Sequence, residues 1–409
     1  MNSTIHITQT NVLKGVVNYL PASKSISNRV LIMNALAGSG SSLLNLSDAN
    51  DTQLMLKLIN TLDHVVNVED AGTTMRFLTA YFSITGKQKI LTGTSRMKER
   101  PIGILVDALR TLGAEIRYIE KNGFPPLELK GFEEQKVKAI AIRGDISSQF
   151  ISALMMIAPI LPDGLTLNLT GKIGSRPYIE MTASLMREFG VMVDFYENTI
   201  HIKSQRYTAT SFTVESDWSA ASYWFAFAAL AEKAELFLPR LMLKSLQGDS
   251  VITHIMKDLG VIATTEKDLV KLTKATSSRA ITWDFTHCPD LAQTLAVVCA
   301  AKGITGNFTG LESLRIKETD RIAALQQELR KIGADLQESA DQWTLIPSLQ
   351  LPKAATFQTY KDHRMAMAFA PLATQMDISI ENPNVVRKSY PRFWDDINTF
   401  GLITTISEG

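Results

Sequence analysis

Short clusters of charged and hydroxyl side chains carry the chemistry open to this sequence, and the chemistry is anion binding. The first is 21–29, Pro-Ala-Ser-Lys-Ser-Ile-Ser-Asn-Arg, which sets Lys24, Ser25 and Arg29 ahead of an apolar, helix-like run over 30–37. The first N–H groups of a helix have no intrahelical partner and favour a negative ligand. Lysine adds a mobile point charge and arginine a bidentate fork, so phosphate or carboxylate fits. A second cluster, Asp70-Ala71-Gly72-Thr73-Thr74-Met75-Arg76, brings a glycine and two hydroxyls to another helix start. Backbone N–H groups can approach an oxyanion there, although the Gly-Lys-Ser/Thr core of a P-loop is missing. In Arg96-Met97-Lys98-Glu99-Arg100-Pro101, the proline suits a first helical position, which would place Arg100 beside a helix N-terminus. Ser147, Ser148 and Gln149 open a strongly apolar helix pattern, and Ser175-Arg176-Pro177-Tyr178 repeats the arrangement further on. One hydroxyl can cap the helix, leaving another and the carboxamide for a polyol or phosphate.

The second half holds the acids. Arg315-Ile316-Lys317-Glu318-Thr319-Asp320-Arg321 is the densest run. Alternating charges can simply stabilise a helix surface, but Lys beside Glu ahead of an apolar helix also suits proton transfer next to an anion. Lys361-Asp362-His363-Arg364 abuts an apolar run, and Asp362 could orient His363. Arg387 and Lys388 precede Ser389-Tyr390-Pro391. Asp290, before Leu291, reads either as a helix cap or as a base. Cys288, beside it, is a weak candidate nucleophile. Each cluster alone also reads as a capped helix or a solvated face. Their number, in a chain of net charge +1, argues for local anion sites.

The elements that must position these groups show a repeat. An amphipathic helix ends in a large apolar residue, then glycine, then a small or apolar residue opening a strand. Copies end at Gly113, Gly190, Gly260, Gly333 and Gly401, and a degenerate sixth ends at Asp63. Glycine suits a left-handed residue after a helix, where a Cβ costs energy. Most copies lie roughly 50 to 75 residues apart, three before residue 210 and three after 250, which implies two similar domains of three αβ units each. The crossover is placed near 215–219.

Composition agrees. The 409 residues are 45% hydrophobic and 20% charged, enough for large cores. Near-neutral charge argues against a nucleic-acid surface. The two cysteines, Cys288 and Cys299, form no disulfide framework and no metal-ligand spacing. No signal-peptide pattern and no membrane-length apolar run is present, so a cytoplasmic protein is the expectation.

Taken together and in order, Ser-Lys-Ser-x-Ser-Asn-Arg, Ala-Gly-Thr-x-Met-Arg, Lys-Glu-Arg-Pro-Ile-Gly, Ser-Ser-Gln-Phe, Lys-Glu-Thr-Asp-Arg and Asp-His-Arg-Met-Ala-Met closely resemble the 5-enolpyruvylshikimate-3-phosphate (EPSP) synthase family, over about residues 21–391. The resemblance implies an α/β (α+β) fold of two domains, each of three βαβαββ units. These would be 14–217, and 1–13 with 218–409, with the active site in the cleft between them. It implies carboxyvinyl transfer from phosphoenolpyruvate to the 5-hydroxyl of shikimate 3-phosphate, with no metal or redox cofactor. A monomer is expected, with no nucleic-acid or membrane partner.

Carried over by position, Lys24, Ser25, Arg29, Ser147, Ser148, Gln149, Ser175, Asp290, Ser313 and Lys317 match the family's shikimate 3-phosphate site. Lys24, Gly72, Arg100, Gln149, Arg321, Arg364 and Lys388 match its phosphoenolpyruvate site. Asp290, Glu318 and Lys24 are the catalytic candidates, with Asp290 as base toward the hydroxyl. Gly72 keeps the small residue that leaves room for the inhibitor glyphosate. Asp70, Phe77 and Ser313 depart from a common Asn, Pro and Asn, which bears on affinity and not on reaction class. Asp70 could turn away, or pair with Arg76 or Lys98. The sister UDP-N-acetylglucosamine enolpyruvyl transferases carry a reactive Cys in their first domain, whereas both cysteines here lie in the second half. A binding protein without turnover would not need the acids.

Overall fold

The computed structural model describes residues 3–86, 88–145, 147–402 and 404–408. The chain divides into two compact units: residues 22–214, and a discontinuous unit made of the chain up to Pro21 and from Glu215 on.

One pattern builds both. In the 22–214 unit the strand Val65–Asn67 passes through the helix Gly72–Ile84 to a parallel neighbour, Lys89–Thr92. The chain then runs through the helix Gly103–Leu112 into a hairpin, Ala114–Tyr118 and Leu127–Phe132, whose second strand pairs antiparallel with Lys89–Thr92. Ala139–Arg143, Leu165–Thr170, Asp194–Tyr196 and Thr199–Ile202 repeat this sheet around the helices Ser148–Ile157 and Arg176–Glu188. The third copy is reduced among the described residues to one parallel pair, Ser42–Leu44 with Ser211–Thr213. Its helices are Lys24–Leu36 and Asn50–Leu58.

The discontinuous unit holds three full copies. Val12–Val16 lies parallel to Lys233–Pro239, completed by Leu269–Lys274 and Val261–Glu266. Ala280–Asp284 and Thr305–Thr309 are completed by Gln342–Ile346 and Asp335–Ser339. Ala354–Phe357 and Asp377–Glu381 are completed by Ser3–Ile7 and Thr404–Glu408, so the strand that opens the chain closes its last sheet.

The five repeat glycines stand at the helix-to-strand corners of the five four-stranded copies, all with positive φ: 120° at Gly113, 79° at Gly190, 91° at Gly260, 79° at Gly333 and 79° at Gly401. The degenerate copy ending at Asp63 belongs to the reduced sheet, where the chain runs on into Val65–Asn67 with no hairpin to enter.

The boundaries differ from the sequence reading by a few residues. Val12–Val16 straddles the expected edge at 13/14, and its pairing with Lys233–Pro239 carries 14–21 into the discontinuous unit. Residues 215–217 join that unit as well, and Asp217 N–H donates to the Pro21 carbonyl at 2.8 Å.

The helix Trp218–Leu230 reads apolar all round and is buried accordingly. Every residue in it but Ser219 is buried. The strands alternate, as in Ala139–Arg143, presenting one face to the helices and the other to solvent. Each unit has its own core. This layout leaves the polar helix starts as the places where charged side chains gather.

Candidate active site

In the 22–214 unit Ser23 caps Lys24–Leu36, accepting from Ile26 N–H at 3.4 Å. Lys24 pairs with buried Asp51 at 3.2 Å. Arg29 lies one turn in and is 2% exposed. Its Nε donates to Thr182 Oγ1 at 2.8 Å, Nη1 to the Ser25 carbonyl at 2.8 Å and Nη2 to Ser152 Oγ at 3.1 Å. The Phe77 and Tyr178 rings flank it at 5.4 and 5.8 Å. All these partners are neutral, and burial pushes the guanidinium down to about 10. Arg29 thus ties three helices together, Lys24–Leu36, Ser148–Ile157 and Arg176–Glu188, while its charge stays unneutralised by these contacts.

Gly72 opens its helix directly under Arg100. A Cβ there would stand 2.7 Å from Arg100 Nη1 and 2.9 Å from Nη2. Ser147 caps Ser148–Ile157 by accepting from Gln149 N–H, and Gln149 Nε2 donates to Thr73 Oγ1 at 3.2 Å. The Gly72 and Ser148 helix starts are therefore joined side chain to side chain. Ser175, at φ 52°, precedes the helix Arg176–Glu188.

In the discontinuous unit one guanidinium organises the acids. Arg321, 2% exposed, donates Nη1 to Asp290 Oδ1 at 3.0 Å, Nη2 to Glu318 Oε2 at 2.8 Å and Nε to Asp362 Oδ2 at 2.7 Å. Arg364 Nη2 reaches Asp290 Oδ2 at 2.8 Å, its Nη1 reaches Tyr223 Oη at 3.3 Å, and Lys388 Nζ meets Glu318 Oε1 at 3.3 Å. Burial works against an ionised Asp290, but Arg364, Lys317 and Arg321 outweigh it and hold the carboxyl well below the usual range. Asp249, also buried, accepts from the Ser219 hydroxyl, and burial with nearby Asp290 pushes it up to about 7. Burial pushes the Tyr223 phenol up to about 12.

The model of the family described as EPSP synthase (3-phosphoshikimate 1-carboxyvinyltransferase) matches residues 7–71 and 60–397. A 3-phosphoshikimate 1-carboxyvinyltransferase of Bacteroides fragilis is 47% identical over 394 residues, 95% of this chain and 96% of that protein. One of Photobacterium profundum is 37% identical over 415 residues, 94% and 96% of the two chains. The chain belongs to the EPSP synthase family. An EPSP synthase structure from Acinetobacter baumannii superposes with a TM-score of 0.80 at 20% identity, covering all of both chains, so the EPSP synthase fold is shared. No helix among the described residues is long and apolar enough to cross a membrane.

Within this EPSP synthase fold the structure brings Asp290, Glu318, Arg321, Arg364 and Lys388 into one bonded cluster, with Lys317 in electrostatic reach of Asp290. Ser313 lies exposed in the 3-10 helix Glu312–Ile316.

Three local expectations change, and Asp70 finds a partner in its own loop region. Pro101 is not the first helical residue: the helix begins at Gly103, and Arg100 lies against the start of Gly72–Ile84 instead. Asp362 serves Arg321, and His363 Nδ1 stays 3.6 Å away. Asp290 caps nothing, since Leu291 is the N-cap position of Ala292–Lys302 and its side chain makes no cap bond. Asp70 accepts from Thr94, while Lys98 pairs with Glu120 at 2.6 Å and Arg76 donates to the Gly72 and Pro101 carbonyls.

Asp51, Tyr223 and Asp249 escaped sequence reading because each is a single residue outside any cluster, recruited by tertiary contact. Cys288 and Cys299 are buried, and burial pushes both thiols up to about 12, so neither is an activated nucleophile.

Proposed function

We propose that this protein transfers the carboxyvinyl group of phosphoenolpyruvate to the 5-hydroxyl of shikimate 3-phosphate and releases phosphate. The observation that carries the reading is the pair of acids on Arg321: Asp290 on one nitrogen and Glu318 on another. Binding alone needs cations. Addition to an enol phosphate and elimination of phosphate from the adduct need a base and an acid as well.

In the addition step the 5-hydroxyl oxygen bonds to the enolpyruvyl C2 as its proton passes to a base. The methylene carbon gains a proton and becomes a methyl group. In the elimination step the C2–O bond to phosphate breaks, the methyl loses a proton, and the double bond reforms. Asp290, held ionised by three cations, is assigned the hydroxyl proton. Glu318 and Lys24 are assigned the methylene proton and the leaving phosphate. Lys24, Ser25, Arg29, Ser147, Ser148, Gln149, Ser175, Asp290, Ser313 and Lys317 are assigned to shikimate 3-phosphate. Lys24, Gly72, Arg100, Gln149, Arg321, Arg364 and Lys388 are assigned to phosphoenolpyruvate. The sheltered charge of Arg29 and the Arg100 guanidinium at a helix start support these assignments.

The test is phosphate release from phosphoenolpyruvate with and without shikimate 3-phosphate. Release that depends on shikimate 3-phosphate and is lost in Asp290→Ala and Glu318→Gln is expected. Tight binding of shikimate 3-phosphate without release would favour a binding protein. Release only with UDP-N-acetylglucosamine would place the substrate in the sister family.

A further inference from the structure

Residues 359–362 make a tight turn, with Asp362 N–H donating to the Thr359 carbonyl at 2.8 Å. Its central residues both have left-handed backbones, Tyr360 at φ 51° and Lys361 at φ 58°. That is a type I′ turn, a geometry in which glycine, asparagine or aspartate normally fills both central places. Tyrosine and lysine are strained there, and such strain persists only where the surroundings over-determine it.

The surroundings here are one helix face. Arg321 and Glu328 lie seven residues apart on Arg321–Arg330, two turns along the same side. Glu328 is fully buried. Its Oε1 accepts from the Tyr360 hydroxyl at 2.7 Å, and its Oε2 accepts from Gln358 N–H at 3.0 Å and pairs with Lys331 at 2.7 Å. Two turns earlier Arg321 grips Asp362, the last residue of the turn. Asp362 in turn accepts from Arg364 N–H at 2.9 Å. One helix thus holds the turn at both ends, and Arg364 leaves it aimed at Asp290.

We propose that Tyr360 and Glu328 are positioning residues: their hydrogen bond holds the strained 359–362 turn shut and so sets where Asp362 and Arg364 stand. The inference rests on the assignment of Arg321 and Arg364 to phosphoenolpyruvate. A glycine at 361 relieves one of the two strained positions, so it should lessen the need for the pin.

The experiment compares wild type, Tyr360→Phe, Lys361→Gly and the double variant in steady-state phosphate release, with thermal melting alongside. In Tyr360→Phe the KM for phosphoenolpyruvate should rise roughly tenfold and kcat should fall, with the KM for shikimate 3-phosphate within about twofold of wild type. Lys361→Gly alone should be near wild type, and the double variant should recover part of what Tyr360→Phe loses. An unchanged KM for phosphoenolpyruvate in Tyr360→Phe, a parallel rise for both substrates, or no recovery in the double variant would each overturn the proposal. Wild-type turnover tests the assigned reaction by itself, so a failure there is separate from a failure of the variant ratios.

Discussion

Arg321 and Asp362 meet through two hydrogen bonds, 2.7 Å from Nε and 3.4 Å from Nη2, with the side chains only 2% and 0% exposed. The same guanidinium holds Asp290 and Glu318. Asp362 touches neither acid in these bonds, yet it fixes the cation that both share.

Removing Asp362 therefore leaves a buried guanidinium short of a partner. Asp362→Ala should destabilise the protein by about 3–5 kcal/mol, the usual cost of breaking a buried pair from one side. Urea unfolding measures it. Turnover should fall by more than the loss of folded protein explains, because Arg321 becomes free to re-aim.

Gly72→Ala separates binding from stability. The new Cβ would stand 2.7 Å from Arg100 Nη1, and the guanidinium must move aside. Gly72 is a helical residue with no left-handed backbone to protect, and alanine is the better helix former. The melting temperature should hold or rise, while the KM for phosphoenolpyruvate should increase roughly tenfold. Glyphosate should inhibit the wild type in competition with phosphoenolpyruvate and inhibit this variant more weakly. Equal inhibition of both would contradict the placement of Arg100.

Asp249 should write itself into the pH dependence of stability. Burial raises its folded pKa from 3.8 to about 7. The folded state then keeps a proton that the unfolded chain gives up, so this contribution is fully present below about pH 4 and is lost as pH rises to about 7. Other carboxyls, Asp290 among them, act in the opposite sense, so the difference between wild type and Asp249→Asn isolates the group. The variant should gain stability relative to wild type as pH rises from 4 to 7, with the difference flat above that. Parallel curves would refute the assignment.

Neither thiol should react in the folded protein at neutral pH. Cys288 is 2% exposed, Cys299 is 0% exposed, and Trp283 Nε1 donates to the Cys288 sulfur at 3.4 Å. A thiol reagent should label neither within minutes in the native state and both cysteines after denaturation. Fast labelling with loss of turnover would reopen the comparison with the cysteine-bearing sister enzymes.

What could be read ahead of the structure was what local chemistry dictates. A glycine that must turn left after a helix announces its corner, so Gly113, Gly190, Gly260, Gly333 and Gly401 marked the repeats. The Asp63 copy even marked the reduced one. Charged residues clustered at helix starts were legible because anion chemistry has few ways to be built. What could not be read was partnership across the chain. Arg100 looks like the neighbour of the helix that follows it, yet it serves a helix beginning at Gly72. Asp362 looks like the partner of the adjacent histidine, yet it reaches across 41 positions to Arg321. Asp249 carries no motif at all, and burial alone gives it its character.

The strand Ser3–Ile7 pairs with Asp377–Glu381, and His6 meets Ser379 across 373 positions of sequence. At ~5–20 residues per second, a ribosome needs roughly 20–75 s to make that partner. Residues 22–214 can condense meanwhile, since all their sheet partners emerge together. The first strand must wait throughout with its backbone unpaired. Synthesis thus imposes an order in which the inserted unit matures first and the host unit last. Until Asp377–Glu381 and Thr404–Glu408 are made, the first strand lacks both of its sheet partners, so the last sheet of the host can form only when synthesis is nearly complete.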